Sequence, residues 1–276
     1  MRSRITRIVK SIIVAVLLGA ALAFAMLPFF WMISTSFKPP VEWSASPAVW
    51  IPRELYWQNY MEMWTAGGNT ALLNTVVIGF ASSLTATLVG SLCGYGISRF
   101  RTGGSSLLFL ILSIRLLPAA AIIVPIVMLY SYYNLIDTWL GLTLLYVLSS
   151  LPFTVYLMKT YFDGIPRDLE EAAQVDGCSL IQALVRVALP VTIAGLIVCF
   201  LFAIVLSWNE LFFAVTLTRS QAYTIPVKLA GWYNSNTGNF WGPQAAQAIV
   251  SIAPIVLVAS LAQRWIVKGL TLGAVK

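Results

Sequence analysis

Six long apolar stretches constrain this chain more than any other feature. A helix of roughly 20 apolar residues crosses the hydrocarbon layer of a bilayer, and residues 12–33, 72–97, 107–130, 139–161, 189–217 and 245–267 each supply one. Water offers no home for so much apolar surface. Hydrophobic residues make up 59% of the 276 and charged residues 10%, against about 25% charged in a soluble domain. Within lipid a helix satisfies its own backbone hydrogen bonds, so the expected fold class is all-α, a polytopic membrane protein with six transmembrane helices. Gly90, Gly94, Gly96, Pro118, Pro125, Pro152 and Pro254 interrupt the stretches. Such residues are tolerated where a neighbouring helix satisfies the freed backbone or packs close.

Charge sets the expected direction. Arg2, Arg4, Arg7 and Lys10 precede the first stretch, which is longer than the apolar core of a signal peptide and is expected to be retained. Counted over alternate connections, twelve Lys and Arg lie on the side of the N-terminus and four on the other. The positive-inside rule then places both termini in the cytoplasm of a multi-pass protein of the cell membrane. These basic residues are scattered rather than blocked, so they favour orientation in lipid over nucleic acid. The residues form one expected membrane domain, 1–276, with no soluble one.

Several chemistries lose their usual residues. Histidine is absent, and Cys93, Cys178 and Cys199 show no paired spacing and read as free thiols. No grouped acids or nucleophile suggest an enzyme, no metal site is expected, and no G-x-x-x-x-G-K-[ST] loop is present to cradle phosphate.

The most charged connection, residues 162–190, reads as helix, turn, helix. Pro166 and Asp168 suit a first turn, Leu169, Ala172, Ala173 and Val175 supply an apolar face, and Gly177 permits a positive φ at the helix end. Ser179 can cap a second helix in which Leu180, Ala183, Leu184 and Val187 repeat at helical spacing. A short amphipathic helix outside the bilayer wants a partner's groove or the membrane surface.

Glu171-Ala172-Ala173, Gly177, Val187 and Leu189-Pro190 resemble the E-A-A loop of ABC importer permeases. Tyr95 to Phe100, Arg115 to Pro118, Leu135 to Thr138, Trp208 to Glu210 and Gly269 to Thr271 resemble the carbohydrate-uptake branch, of the maltose-transporter G-subunit type. The resemblance implies an ABC importer permease fold with a cytoplasmic E-A-A coupling helix. It also implies a second homologous permease, two cytoplasmic ATPase subunits and an external sugar-binding protein as partners. ATP and Mg would then be used by the partner subunits, with no cofactor bound by this chain. Glu170, Glu171, Ala172, Ala173, Asp176 and Gly177 become the expected ATPase-coupling residues. The tail Gly269–Lys276 is expected to reach between the ATPases. The implied substrate is a disaccharide of the maltose or trehalose kind, with a polyol, glycerol phosphate or another oligosaccharide as alternatives.

Polar residues within the stretches have two readings each. Arg115 lies about 15 Å along a helix from Ser105, near mid-depth, where it either pairs with protein or lines a water-filled path. Trp208, Asn209 and Glu210 offer an aromatic face and hydrogen-bonding groups for a sugar, or bonds between helices. Asn74 reads as a helix-packing bond. The aromatics Tyr56, Trp57, Tyr60 and Trp64 suggest an interfacial helix. Residues 219–244 form a connection longer than a turn needs. In the resembled family such a loop enters the binding protein, which nominates Trp232, Tyr233, Asn234, Ser235 and Asn236 as contacts. An ion-coupled secondary transporter is the competing class, but it needs several ionisable groups at mid-depth and only Arg115 and Glu210 stand there.

Overall fold

The computed structural model describes residues 2–234 and 238–272, with the side chains at 2–9, 105, 233, 234, 264 and 266–272 left aside. Among the described residues, four helices are long and apolar enough to cross a membrane, and six spans result if each of two bent helix pairs is one span. The chain forms two compact units. One comprises residues up to Asn69 with Leu229–Ser251, the other Thr70–Lys228 with the residues from Ile252 on.

The first unit begins with α1 (Arg2–Ser36), whose apolar residues from Ile12 to Phe30 are exposed, as suits a helix solvated by lipid. Short helices α2 (Pro40–Trp43) and α3 (Gln58–Met63) follow, then a π-type turn over Trp64–Gly68 in which Gly67 takes φ 91°. Fully buried Asn59 ties these pieces together by donating to the carbonyls of Ser36 and Lys38, both at 2.9 Å. The Lys38 ammonium lies 3.7 Å from the centre of the Trp31 ring; burial lowers its pKa, partly offset by the nearby Glu42 carboxylate. Of the expected interfacial aromatics, Trp57 and Trp64 are exposed while Tyr60 packs beside Phe37. A two-residue antiparallel hairpin pairs β1 (Tyr233–Asn234) with β2 (Gly238–Asn239).

The second unit is built on α4 (Asn69–Phe100) and α7 (Trp139–Asp163), which contain the expected stretches 72–97 and 139–161. The stretch 107–130 is a pair, α5 (Gly104–Ser113) and α6 (Ala119–Tyr132), bent by 90°. Pro118 drives the residue before it out of helical geometry, and Leu117 is extended at ψ 123°. The polar connection carries α8 (Asp168–Val175), α9 (Leu180–Ala183) and α10 (Leu189–Val191), after which α11 (Ile193–Trp208) sets off at 77°. Pro190 cannot donate a backbone hydrogen bond there, which weakens the helix at the bend. Then come α12 (Phe212–Leu217), α13 (Ile225–Ala230) and α14 (Trp241–Leu272); the last two run through both units.

One core cluster of the second unit joins Ile78, Tyr130, Leu142, Leu145, Tyr146, Phe213 and Leu217. Asn74 reaches across it as a packing bond: its amide donates to the carbonyls of Gln221 (2.7 Å) and Tyr223 (2.9 Å), and its oxygen accepts from the Trp139 indole at 2.8 Å.

A second long-range latch is Asp137, at φ 57° in the turn before α7. Its carboxylate accepts from the backbone N–H groups of Arg219 (2.9 Å), Ser220 (3.0 Å), Gln221 (3.1 Å) and Ala222 (3.0 Å). Burial alone would raise its pKa, but these N–H groups outweigh burial and hold it at about 2, below the ordinary 3.8. Its stabilisation is therefore complete above the ordinary value and is lost as pH falls through about 2. Asn tolerates the same positive φ, so Asp137→Asn isolates the charge. That variant is expected to lose about 1 kcal/mol at neutral pH, read as a lower unfolding temperature in detergent, with the gap to the parent closing as pH approaches 2. An unchanged unfolding temperature at neutral pH would count against the latch.

Candidate functional site

The polar loop leaves α7 through Gly164 and Pro166 and enters α8 with Asp168, Glu170 and Glu171 in its first turn, where acidic side chains complement the helix dipole. Its end is a Schellman motif. The N–H of Cys178 donates to the Ala173 carbonyl at 2.9 Å, that of Gly177 to the Gln174 carbonyl at 3.0 Å, and Gly177 takes φ 92°. Ser179 and Gln182 then form a reciprocal capping box that starts α9. A π-type turn over Leu184–Ala188 leads into α10.

This loop is fastened to the last turn of α4 by a buried ionic cluster. Glu170, 4% exposed, turns inward from α8. One carboxylate oxygen accepts from the Tyr95 hydroxyl at 2.6 Å, and the other meets Arg99 through Nε at 2.7 Å and Nη2 at 2.6 Å. Arg99 also donates to the Ile165 carbonyl at 3.3 Å, and Arg167 donates back to the Ser98 carbonyl at 3.2 Å. The Ser98 hydroxyl and the Lys159 ammonium each contact the Asp163 carboxylate at 2.6 Å. Beneath lies an apolar cluster of Tyr95, Met158, Phe162, Ile165, Leu184, Ala188 and Cys199.

The outer surface of the loop differs. Glu171, Ala172, Asp176 and Gly177 are exposed and Ala173 is half-buried. Val175 and Ile181 are 88% and 71% exposed, with Leu180 and Val185 exposed nearby. Of the six residues expected to couple, five thus lie at or near the surface and Glu170 faces the interior. Tyr95, Ser98 and Arg99 were not nominated as site residues. The available signal was their placement at a span end, with Tyr95 and Arg99 four apart on one helix face.

The remaining nominated residues fall on separate elements. Arg115 is exposed in the turn at the 90° bend between α5 and α6. Trp208 is buried, with its ring 3.7 Å from the place of a Cβ on Gly79. Asn209 is exposed and donates to the Val205 carbonyl at 2.8 Å. The Glu210 carboxylate accepts from the backbone N–H groups of Phe213 (3.1 Å) and Ala214 (3.2 Å), capping the start of α12. Trp232 is buried with Met63 and Ala246, while Tyr233 and Asn234 form β1. Ser235 and Asn236 lie outside the described residues, as do the last four of the tail. Among the described residues no group of three or more His, Cys, Asp or Glu is placed to hold a metal ion.

Residues 86–272 match the family model described as binding-protein-dependent transport system inner membrane component. The chain is 33% identical over 270 residues to the trehalose transport system permease protein SugB of Mycobacterium tuberculosis, covering 95% of this chain and 96% of the relative. It is 30% identical over 281 residues to the trehalose/maltose transport system permease protein MalG of Thermococcus litoralis, covering 100% and 99%. A crystal structure of a bacterial ABC transporter involved in the import of the acidic polysaccharide alginate matches with TM-score 0.77 at 22% identity, over 94% of this chain and 96% of that one. That likeness speaks to the fold, a helical permease architecture. The chain therefore belongs to the family of binding-protein-dependent transport system inner membrane components, and is a multi-pass ABC transporter permease rather than an enzyme.

Proposed function

We propose that this permease carries a disaccharide of the trehalose or maltose kind into the cell, taking it from an external binding protein and drawing on ATP hydrolysed by separate subunits. The relatives named for trehalose and maltose, matched over nearly their full length, support the substrate class. A second homologous permease completes the membrane passage, and two ATPases with their ATP and Mg work on the cytoplasmic side. The excess of Lys and Arg in alternate connections supports cytoplasmic termini and a cytoplasmic polar loop.

The observation that carries the mechanism is the surface of α8 and the turn after it. Glu171 and Asp176 stand exposed beside Val175 and Ile181, on a loop whose other face is fastened to the membrane helices. Lipid does not suit two exposed carboxylates, whereas a protein cleft with basic and apolar walls suits the whole face. Glu171, Ala172, Ala173, Asp176 and Gly177 are the docking residues. Closure of the ATPase pair moves α8, and the helices joined to it follow as rigid bodies.

On the outer side, the loop bearing Trp232, Tyr233, Asn234, Ser235 and Asn236 approaches the binding protein, with buried Trp232 as its anchor. Along the path, we assign Arg115 at the bend of α5 and the amide oxygen of exposed Asn209, whose nitrogen is held by the Val205 carbonyl, to meet a sugar hydroxyl. Trp208 and Glu210 shape that region from within.

Co-expression with the partner permease and ATPase tests the assembly, and titration of the binding protein against a sugar panel tests the substrate. Copurification with the ATPase and tightest binding of trehalose or maltose are expected. Uptake of the sugar by this chain without any ATPase would favour ion-coupled transport and end the proposal.

A further inference from the structure

The docking helix could be held to the membrane helices by its flanking turns alone, yet its one inward carboxylate is fully engaged. Glu170 on α8 accepts two hydrogen bonds from α4, from the Tyr95 hydroxyl and from Nε of Arg99, and Nη2 of Arg99 adds an ion-pair contact at 2.6 Å. The Glu170 and Arg99 side chains are 6% and 8% exposed. The interlock runs both ways, since Arg99 also holds the carbonyl of Ile165 ahead of α8, and Arg167 holds the carbonyl of Ser98 on α4. With two guanidinium nitrogens on one carboxylate oxygen and the Tyr95 hydroxyl on the other, both oxygens are held and the orientation of the carboxylate is fixed along with its distance. Out of water such a pair resists bending, because separating it leaves a buried charge uncompensated.

We infer that the Tyr95–Arg99–Glu170 cluster is the rigid link that carries displacement of the docking helix into α4, and so sets how much substrate is moved for each ATP hydrolysed. This inference rests on the reading of the loop surface as the ATPase docking face. α4 spans 32 residues, about 48 Å of helix, so a shift imposed at its Arg99 end is delivered across the whole bilayer. Among the described residues no second ion pair or side-chain hydrogen bond holds α8, whose exit is the Schellman turn at Gly177, where a Cβ would meet nothing within 4 Å. Glu170 and Arg99 are thus positioning residues, acting through the helices they join. Glu170 and Glu171 divide the work between them, one holding the helix from behind and the other facing the partner.

The test uses the full complex, with partner permease, ATPases and binding protein, in proteoliposomes. Arg99→Lys keeps the charge and loses the fork, Tyr95→Phe removes one donor, and Glu170→Gln removes the ion pair. Sugar imported per ATP hydrolysed is expected to fall at least about tenfold for Glu170→Gln, and by less for the two milder changes, with ATP hydrolysis itself retained. A merely structural role would lower import and hydrolysis together, in step with the amount of assembled complex, and would overturn the inference. So would an unchanged ratio in assembled Arg99→Lys and Tyr95→Phe complexes. Crosslinking from Asp176→Cys to the ATPase separates this from failure of the docking reading. If crosslinks form in every variant and the ratio holds, the link is wrong; if none form with the parent Arg99 and Glu170 in place, the docking face is wrong and the link falls with it.

Discussion

Gly94→Leu is expected to destabilise the fold strongly, while Gly96→Leu, two residues along the same helix, is expected to be nearly silent. A Cβ on Gly94 would stand 2.7 Å from the backbone nitrogen of Lys159 and 3.0 Å from the carbonyl oxygen of Val155. Both are backbone atoms of α7 and cannot rotate away as a side-chain tip can. The helices would have to separate, opening the apolar cluster of Met158, Phe162 and Cys199 beneath the polar loop. Overpacking of a tight contact costs about 1–3 kcal/mol and occasionally more, and a leucine adds three further carbons to the clash. A Cβ on Gly96, by contrast, meets nothing within 4 Å. Yield and thermal unfolding in detergent of the two variants check this directly. Equal stability of Gly94→Leu and the parent protein would refute the close approach of α4 and α7.

Gly177→Val is expected to abolish most sugar uptake in an assembled complex, where Gly177→Asn retains much of it. The residue sits at φ 92°, closing the Schellman turn between α8 and α9. There is room for a side chain, so the penalty is conformational and not steric contact with neighbours. For a β-branched residue a positive φ is a genuine outlier, and left-handed geometry costs about 1–2 kcal/mol. The turn relieves that strain by opening, which tilts α8 and displaces Glu171 and Asp176 together. Asn visits the left-handed region more readily and so preserves the turn. Uptake measured at equal amounts of assembled complex distinguishes the two, with Val reduced at least about tenfold, the effect of roughly 1.4 kcal/mol on a single equilibrium. Equal uptake by both variants would show that the turn geometry does not matter for coupling.

The two glycines also mark two kinds of information. Gly177 is legible in the sequence, because a helix stop is local: an amphipathic run, a glycine, then a Ser179 cap within a few residues. Gly94 reads in the sequence only as a small residue in an apolar stretch. Its necessity comes from Lys159 and Val155, more than sixty positions away, which pass within contact of its α-carbon. Proline shows the same division. Pro118 announces a break, yet the 90° turn of α5 against α6 depends on what each helix packs against.

The carboxylates make the limit sharper. Glu170 and Glu171 are adjacent and chemically identical, and on a helix of 3.6 residues per turn they point about 100° apart. Which of them is buried depends on the side to which α4 presents Tyr95 and Arg99. Glu210 looked equally suited to a sugar hydroxyl or a bond between helices, and in the fold it caps α12. Trp232, nominated by the resemblance as a contact for the binding protein, is packed against Met63 and Ala246. The all-α membrane fold, the helix–turn–helix of the polar loop and the family can be read from the chain alone, because hydropathy, capping and motif spacing are properties of contiguous residues. Which carboxylate braces α4 and which faces outward follows from folding, because burial of a charge is settled by partners brought near from 75 and 71 positions away.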